Sequence, residues 1–253
     1  MKYTVLTLFP EIIRAFFGLS ILGRAVEEGI VEYQTVNIRD FAWDKHHSCD
    51  DAPYGGGPGM LMKPEPLGRA LEFAGVRPKD DPQRAGKRSV YLSPSGRPFT
   101  QTEAERFSAE PELVLLCGRY EGIDQRIIER YIDEEISIGD YVLSSGETAA
   151  LVVIDATYRL AERVIAPESL AEESFSGGLL EYPQYTRPEM YGILPVPEVL
   201  LSGHHENIRR WRLEKRLEKT LALRPDLIRR GVEQGLFDRE ICALLEKLKL
   251  ERD

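Results

Sequence analysis

Two stretches place glycines, acids and aromatics directly after apolar runs. Leu113-Val114-Leu115-Leu116-Cys117 runs into Gly118-Arg119-Tyr120-Glu121-Gly122. Glu135-Ile136-Ser137-Ile138 runs into Gly139-Asp140-Tyr141-Val142-Leu143-Ser144-Ser145-Gly146. Glycine lets the backbone approach a ligand closely. Backbone N–H and C=O groups in such loops can hydrogen-bond a heterocycle, and Ile138 and Leu143 can supply apolar walls. Further on, Glu172 and Glu173 precede Ser174-Phe175, and Arg159 is the nearest arginine upstream on an apolar helix. A carboxylate can act as a general base. Read from the residues alone, both glutamates are solvated charges of a linker. A third group is basic: between Gly203 and Arg230 nine Lys and Arg residues face four acids, a local surplus of five.

The elements that must hold these residues are legible from pattern. A short continuous apolar run such as Leu113–Cys117 suits a strand buried on both faces, as in a parallel sheet. Tyr3–Leu8, Val31–Ile38, Ser89–Leu92 and Glu135–Ile138 read as further strands. Helices are expected over Glu11–Phe17 after Pro10, Ser20–Glu28, Pro64–Phe73, Thr100–Phe107 with capping-box spacing to Glu103, Asp124–Tyr131 and Thr148–Leu160. Strand, helix, strand in succession implies parallel pairing through helical crossovers. Ligands of such sheets sit beyond the carboxyl ends of the strands, where both glycine loops fall. The turn Ser93-Pro94-Ser95-Gly96-Arg97 reaches the same edge.

The fold class is therefore α/β with a mainly parallel sheet, followed by a small helical C-terminal domain. The expected divisions are a domain over 1–162, a linker over 163–184 and a helical domain over 185–253. The last contains a polar helix over His205–Leu221, another from Pro225, and an amphipathic one over Phe237–Leu250. Arg39–Lys63 is long and irregular, with Pro53–Met60 (PYGGGPGM) suited to a lid, a pocket wall or a plain connection. His46, His47 and Cys49 lie in it, but no second ligand cluster follows at a metal-binding spacing.

Composition excludes several classes. The net charge of −9 argues against non-specific nucleic-acid binding, though the basic stretch can bind phosphate locally. No apolar run approaches the roughly 18 residues of a membrane span, and the N-terminus reads as a strand rather than a signal peptide. Cys49, Cys117 and Cys242 fit reduced thiols in a cytoplasmic protein. A Rossmann-type site would need its glycine turn after the first strand, where Thr7-Leu8-Phe9-Pro10 stands, and no P-loop motif is present.

CGRYEGIDQR and SIGDYVLSSGE resemble the two cofactor-loop motifs of the bacterial tRNA (guanine-N1)-methyltransferases, the TrmD family of the SPOUT class. LSPSGR, PYGGGPGM and LSGHHENIRRWRLEKRLEKT resemble further stretches of that family, so the likeness spans nearly the whole chain. It implies a trefoil-knotted methyltransferase domain, S-adenosylmethionine as methyl donor, a homodimer, a magnesium requirement without a placeable site, and tRNA as substrate. The methyl acceptor would be N1 of the guanosine immediately 3′ of the anticodon. The family's cofactor contacts fall on Pro94, Gly118, Tyr120, Glu121, Gly122, Ile138, Gly139, Asp140, Tyr141, Val142, Leu143 and Gly146. Its base falls on Glu173, a glutamate where the family has aspartate, with Glu172 as competitor; its assisting arginine falls on Arg159. RNA contacts fall on Ser202, Gly203, His204, Arg209, Arg210, Arg212 and Lys215. A non-catalytic RNA-binding protein with a vestigial pocket, and a related methyltransferase acting on ribose or ribosomal RNA, are the alternatives.

Overall fold

The computed structural model describes residues 1–84 and 86–250, and the chain divides into two compact units, Met1–Ile165 and Ala166–Asp253. The first contains, in order, β1 (Lys2–Thr7), α1 (Pro10–Phe17), α2 (Ser20–Glu27), β2 (Glu32–Asn37), β3 (Asp50–Asp51), β4 (Leu61–Met62), α3 (Pro64–Phe73), β5 (Arg88–Pro98), α4 (Gln101–Ser108), β6 (Glu112–Cys117), α5 (Gln125–Tyr131), β7 (Glu134–Ser137) and α6 (Gly146–Tyr158). The second contains α7 (Pro167–Ala171), β8 (Met190–Tyr191), β9 (Leu194–Pro195), α8 (Glu198–Leu201), α9 (His205–Leu223), α10 (Pro225–Glu233) and α11 (Arg239–Leu250).

Five strands form one sheet in the order β2-β1-β6-β5-β7, every pair parallel. The apolar run of β6 sits in its middle because alternate side chains must be buried on opposite faces. Leu113, Leu115 and Cys117 join one core with Ile13 and Phe17 of α1 and Val153 and Ile154 of α6. Val114 and Leu116 join the other with Leu67 and Leu71 of α3 and Ile127 of α5. The adjacent strands β6, β5 and β7 deliver their carboxyl ends, and the loops that follow, to one edge.

β5 runs past the expected Ser89–Leu92. It leaves the sheet after Leu92 and re-enters at Arg97, and both residues register on Ile136 of β7. The capping box expected at Thr100 does not form; Thr100 makes no side-chain cap. Glu103 is drawn instead to Arg97 (2.8 Å) and Arg106 (2.6 Å), because two guanidiniums outcompete one backbone N–H. Asp124 does cap α5, accepting from the Arg126 N–H at 3.0 Å.

The irregular Arg39–Lys63 segment is held by the Asp44 carboxylate. It accepts from the backbone N–H groups of His46 (2.9 Å) and Ser48 (3.1 Å) and from Lys63 (3.4 Å). The Ser48 N–H leads in holding its pKa down at about 2. The stretch expected to link two domains is folded from Ala166 onward into the second unit. Its Leu179 is buried there with Leu217, Ile228, Leu244 and Leu245, since burial of a leucine side chain is favoured wherever a core is within reach.

Candidate cofactor and RNA sites

A cavity of about 290 Å³ opens at the carboxyl ends of β5, β6 and β7. Of the predicted cofactor residues, all but Asp140 line it, from Pro94 through the Gly118–Gly122 and Ile138–Leu143 loops to Gly146. Asp140 is on the same loop but outside the lining. Two glycines are required by packing. A Cβ on Gly118 would lie 2.8 Å from the Tyr91 ring, and one on Gly146 would lie 2.8 Å from the Cys117 Cα. The two loops are tied across this contact: the Gly146 N–H donates to the Gly118 carbonyl at 2.8 Å, and Arg119 bridges to Ser145. Ser145 is fully extended (φ −166°), so a serine is accommodated before Gly146. Tyr120 takes a left-handed backbone (φ 58°), which costs a non-glycine residue free energy and marks the loop as held by its surroundings.

The rim is apolar. Val142 is 84% exposed and Tyr141 and Leu143 stand beside it, partly open to water. Tyr141 lies against Gly139, and its hydroxyl donates to the Ile138 carbonyl at 3.3 Å. PYGGGPGM adjoins this region without lining the cavity: the Met60 carbonyl accepts from the Glu121 N–H at 3.0 Å, and Gly59 packs on the Glu121 side chain. Tight glycine contacts, loop backbone groups and apolar walls together fit a flat heterocycle such as an adenine.

Beneath the loops, Glu147 is 2% exposed in the first turn of α6. Its Oε1 accepts from the Thr7 hydroxyl at 2.5 Å, and Oε2 is buried without a hydrogen-bond partner. The Thr7 Oγ1 also accepts from the Phe9 N–H at 2.9 Å. The end of β1 is thereby clamped to the residue after Gly146.

The candidate catalytic residues fall on separate elements. Arg159 is the C-cap of α6 in the first unit, half-buried. Glu173 is half-buried in the second unit, its carbonyl accepting from the Ser176 N–H at 3.2 Å. Glu172 is occupied differently: the Tyr182 hydroxyl donates to it, and Arg212 approaches at 3.3 Å. Burial and, behind it, that hydrogen bond push the Tyr182 phenol above its ordinary pKa.

The basic helix is α9. His204 is its N-cap and its N–H donates to the Ser202 Oγ at 3.2 Å, across Gly203 in a left-handed turn (φ 71°). Each basic residue expected to meet RNA has an acidic neighbour. Arg209 pairs with Glu206 and Glu240 (2.7 Å each), Arg210 with Glu214 (3.7 Å), Arg212 with Glu172 and Lys215 with Glu218 (2.7 Å). Exposed pairs of this kind contribute about 0–1 kcal/mol, so a phosphate can replace the carboxylate at little cost. Arg216 is different: it donates to the carbonyls of Leu180 (3.1 Å) and Ser176 (2.7 Å), and burial lowers its pKa.

A family profile described as tRNA (Guanine-1)-methyltransferase TrmD matches residues 1–230. The chain belongs to this family. Among its curated relatives is a tRNA (guanine-N(1)-)-methyltransferase of Treponema denticola, 59% identical over 251 residues, covering 99% of this chain and 100% of the relative. The protein of that name from Treponema pallidum is 55% identical, covering 99% and 97%. The one from Borrelia duttonii is 54% identical, covering 95% and 100%.

Family membership directs attention to the glycine loops but not to what lies under them. Tyr91, whose buried phenol is pushed up to about 12, forms the floor against Gly118, and Thr7 and Glu147 form the clamp. In sequence Tyr91 is one more strand residue; only the register Tyr91↔Leu116 brings it beside the loop. Glu147 carried a signal, an acid opening an otherwise apolar helix. Its partner 140 residues upstream carried none.

Proposed function

We propose that this chain transfers the methyl group of S-adenosylmethionine to N1 of the guanosine immediately 3′ of the anticodon in tRNA. The observation that carries the reading is the cavity at the ends of β5, β6 and β7, walled by the two glycine loops in a member of the guanine-1 methyltransferase family. S-adenosylmethionine, held there, supplies an already activated methyl on a sulfonium, so the protein's main task is alignment. The Gly118–Gly122 and Gly139–Gly146 loops present backbone donors and acceptors to the adenosyl group, and Ile138 and Leu143 cover its apolar surface.

Guanine N1 is a poor nucleophile while protonated. We assign its deprotonation to Glu173 as general base. Glu172, the competing carboxylate, is engaged by Tyr182 and Arg212 in the RNA-free chain; Glu173 is preferred because it directly precedes Ser174-Phe175. Arg159 stabilises the negative charge that develops on O6 as the proton leaves. Among the described residues no three His, Cys, Asp or Glu side chains gather as a metal centre. A magnesium site does not require three protein ligands, since substrate phosphates and water usually complete its shell.

The same reading includes a trefoil knot and a homodimer. The exposed apolar rim at Tyr141–Leu143 suits burial by a second copy. Among the described residues no helix is long and apolar enough to cross a membrane.

Glu173→Gln tests the base assignment. S-adenosylmethionine affinity by calorimetry stays within about twofold, while turnover falls by roughly two to four orders of magnitude. Full turnover in Glu173→Gln with a comparable loss in Glu172→Gln moves the base by one residue.

A further inference from the structure

Four side chains on one face of α9, His205, Arg209, Arg212 and Arg216, line a cavity of about 540 Å³ within the second unit, together with Glu172 and Tyr182. Their spacing of four, three and four residues puts them in one stripe. Of the three arginines, Arg212 is the most incompletely used. Its Nη1 meets both Glu172 oxygens at 3.3 Å, end-on, and its guanidinium lies 4.7 Å from the centre of the Tyr182 ring. Its Nε is buried with no hydrogen-bond partner. A guanidinium binds carboxylate or phosphate best through two parallel N–H bonds, and a buried N–H without an acceptor is costly. Glu172 therefore occupies this site in a poor geometry, leaving a donor that a better-placed anion would satisfy.

We propose that the Arg212 cavity is a phosphate site for the RNA strand, which Glu172 fills as an internal stand-in until a phosphate displaces it. The proposal rests on the tRNA reading above and adds how binding is coupled to the catalytic segment. Glu172 is the residue before Glu173 and directly follows α7. While Tyr182 and Arg212 hold its side chain, the backbone at Glu173 is tied to α9; a phosphate on Arg212 releases it. Arg216, bonded to the Ser176 and Leu180 carbonyls, keeps the downstream part of the segment anchored, so the release is confined to the residues before Ser176. Glu240 and Asp238 also line the cavity, and Glu240 holds Arg209 at 2.7 Å, which leaves Arg212 as the point of exchange.

Binding of a tRNA transcript to the full chain, measured at several salt concentrations, tests this. In the wild type a phosphate replaces Glu172 rather than a bound counterion, so Arg212 adds little to the salt dependence. Glu172→Gln lets Arg212 hold a counterion instead. The expected result is about three- to tenfold tighter binding near 100 mM salt and a log–log slope steeper by about 0.7–0.9. Glu168→Gln, which removes an exposed acid on α7, should change affinity less than twofold and leave the slope alone. Tyr182→Phe removes a latch hydroxyl without changing charge and should tighten binding about twofold; it decides the matter if Glu172→Gln does not fold. In an Arg212→Gln background, Glu172→Gln should have no more effect than Glu168→Gln. The proposal is overturned if Glu172→Gln matches Glu168→Gln or weakens binding, or if its effect persists without Arg212. A loss of turnover by orders of magnitude in Glu172→Gln at saturating RNA would make Glu172 the base and overturn it too. A wild-type chain that does not bind the transcript overturns the tRNA reading along with this one.

Discussion

Thr7→Val removes the one hydroxyl that meets the buried Glu147 carboxylate. Threonine and valine have nearly the same shape, so the change leaves no cavity. It leaves Glu147 buried in the first turn of α6 with neither oxygen bonded, because Oε2 already lacks a partner. It also strips the acceptor from the Phe9 N–H. A hydrogen bond contributes about 0.5–1.5 kcal/mol, and each orphaned buried group costs about 1–3 kcal/mol. Water reaching the site offsets part of this, so a loss of about 2–3 kcal/mol is expected. At about 2–4 °C per kcal/mol for a unit of this size, the melting temperature falls by about 4–12 °C. The assay is thermal unfolding of the wild type, Thr7→Val and Thr7→Ser. Serine retains the hydroxyl and should recover most of the loss. The clamp also backs Gly146, which donates to Gly118, so S-adenosylmethionine affinity should weaken in Thr7→Val and return in Thr7→Ser. If Thr7→Val melts within 1 °C of the wild type, the reasoning is refuted, and Glu147 needs another partner.

Gly118→Ala places a methyl 2.8 Å from the Tyr91 ring, which is buried and cannot swing away; S-adenosylmethionine affinity measured by calorimetry should fall at least about tenfold, or about 1.4 kcal/mol. Glu134 joins β7 to Arg106 (2.6 Å) and to Arg97 on the returning end of β5. Burial disfavours its charge, but Arg106 and Arg97 outweigh burial and hold its pKa below the ordinary value. A depressed carboxyl pKa stabilises above the unfolded value, about 4.3, and that stability is lost as pH falls through the folded pKa. Glu134→Gln should thus destabilise by about 1–2 kcal/mol at pH 7, after allowance for the half-exposed Arg97. Denaturant titrations of the two chains should differ fully above about pH 4.3 and converge only as pH falls through the lowered Glu134 pKa.

The parallel sheet and the two glycine loops at its edge were legible because they rest on local signals. The apolar run of β6 can be satisfied only between two layers, and the glycines of both loops fall where backbone must pass close to backbone. Contacts between distant residues were not legible. Glu103 had capping-box spacing, yet it binds Arg97 and Arg106, and no local rule weighs that competition. The second excursion of β5 to Ile136 depends on its neighbour's register. Ala166–Gln184 lacks periodicity and reads as a linker, but a single leucine, Leu179, commits it to the core of the second unit. The basic surplus of α9 was plain in composition, whereas its pairing with Glu172, Glu206 and Glu240 depends on elements outside the helix or one turn away along it. Family likeness supplied what physics could not, the roles proposed for Glu173 and Arg159.

Methyl transfer to the guanosine 3′ of the anticodon is measured by incubating the chain with labelled S-adenosylmethionine and two tRNA transcripts, one with guanosine and one with adenosine at that position. Label is expected on the first alone, released on digestion as N1-methylguanosine. Label on both, on neither, or on another atom of the guanosine would contradict this assignment.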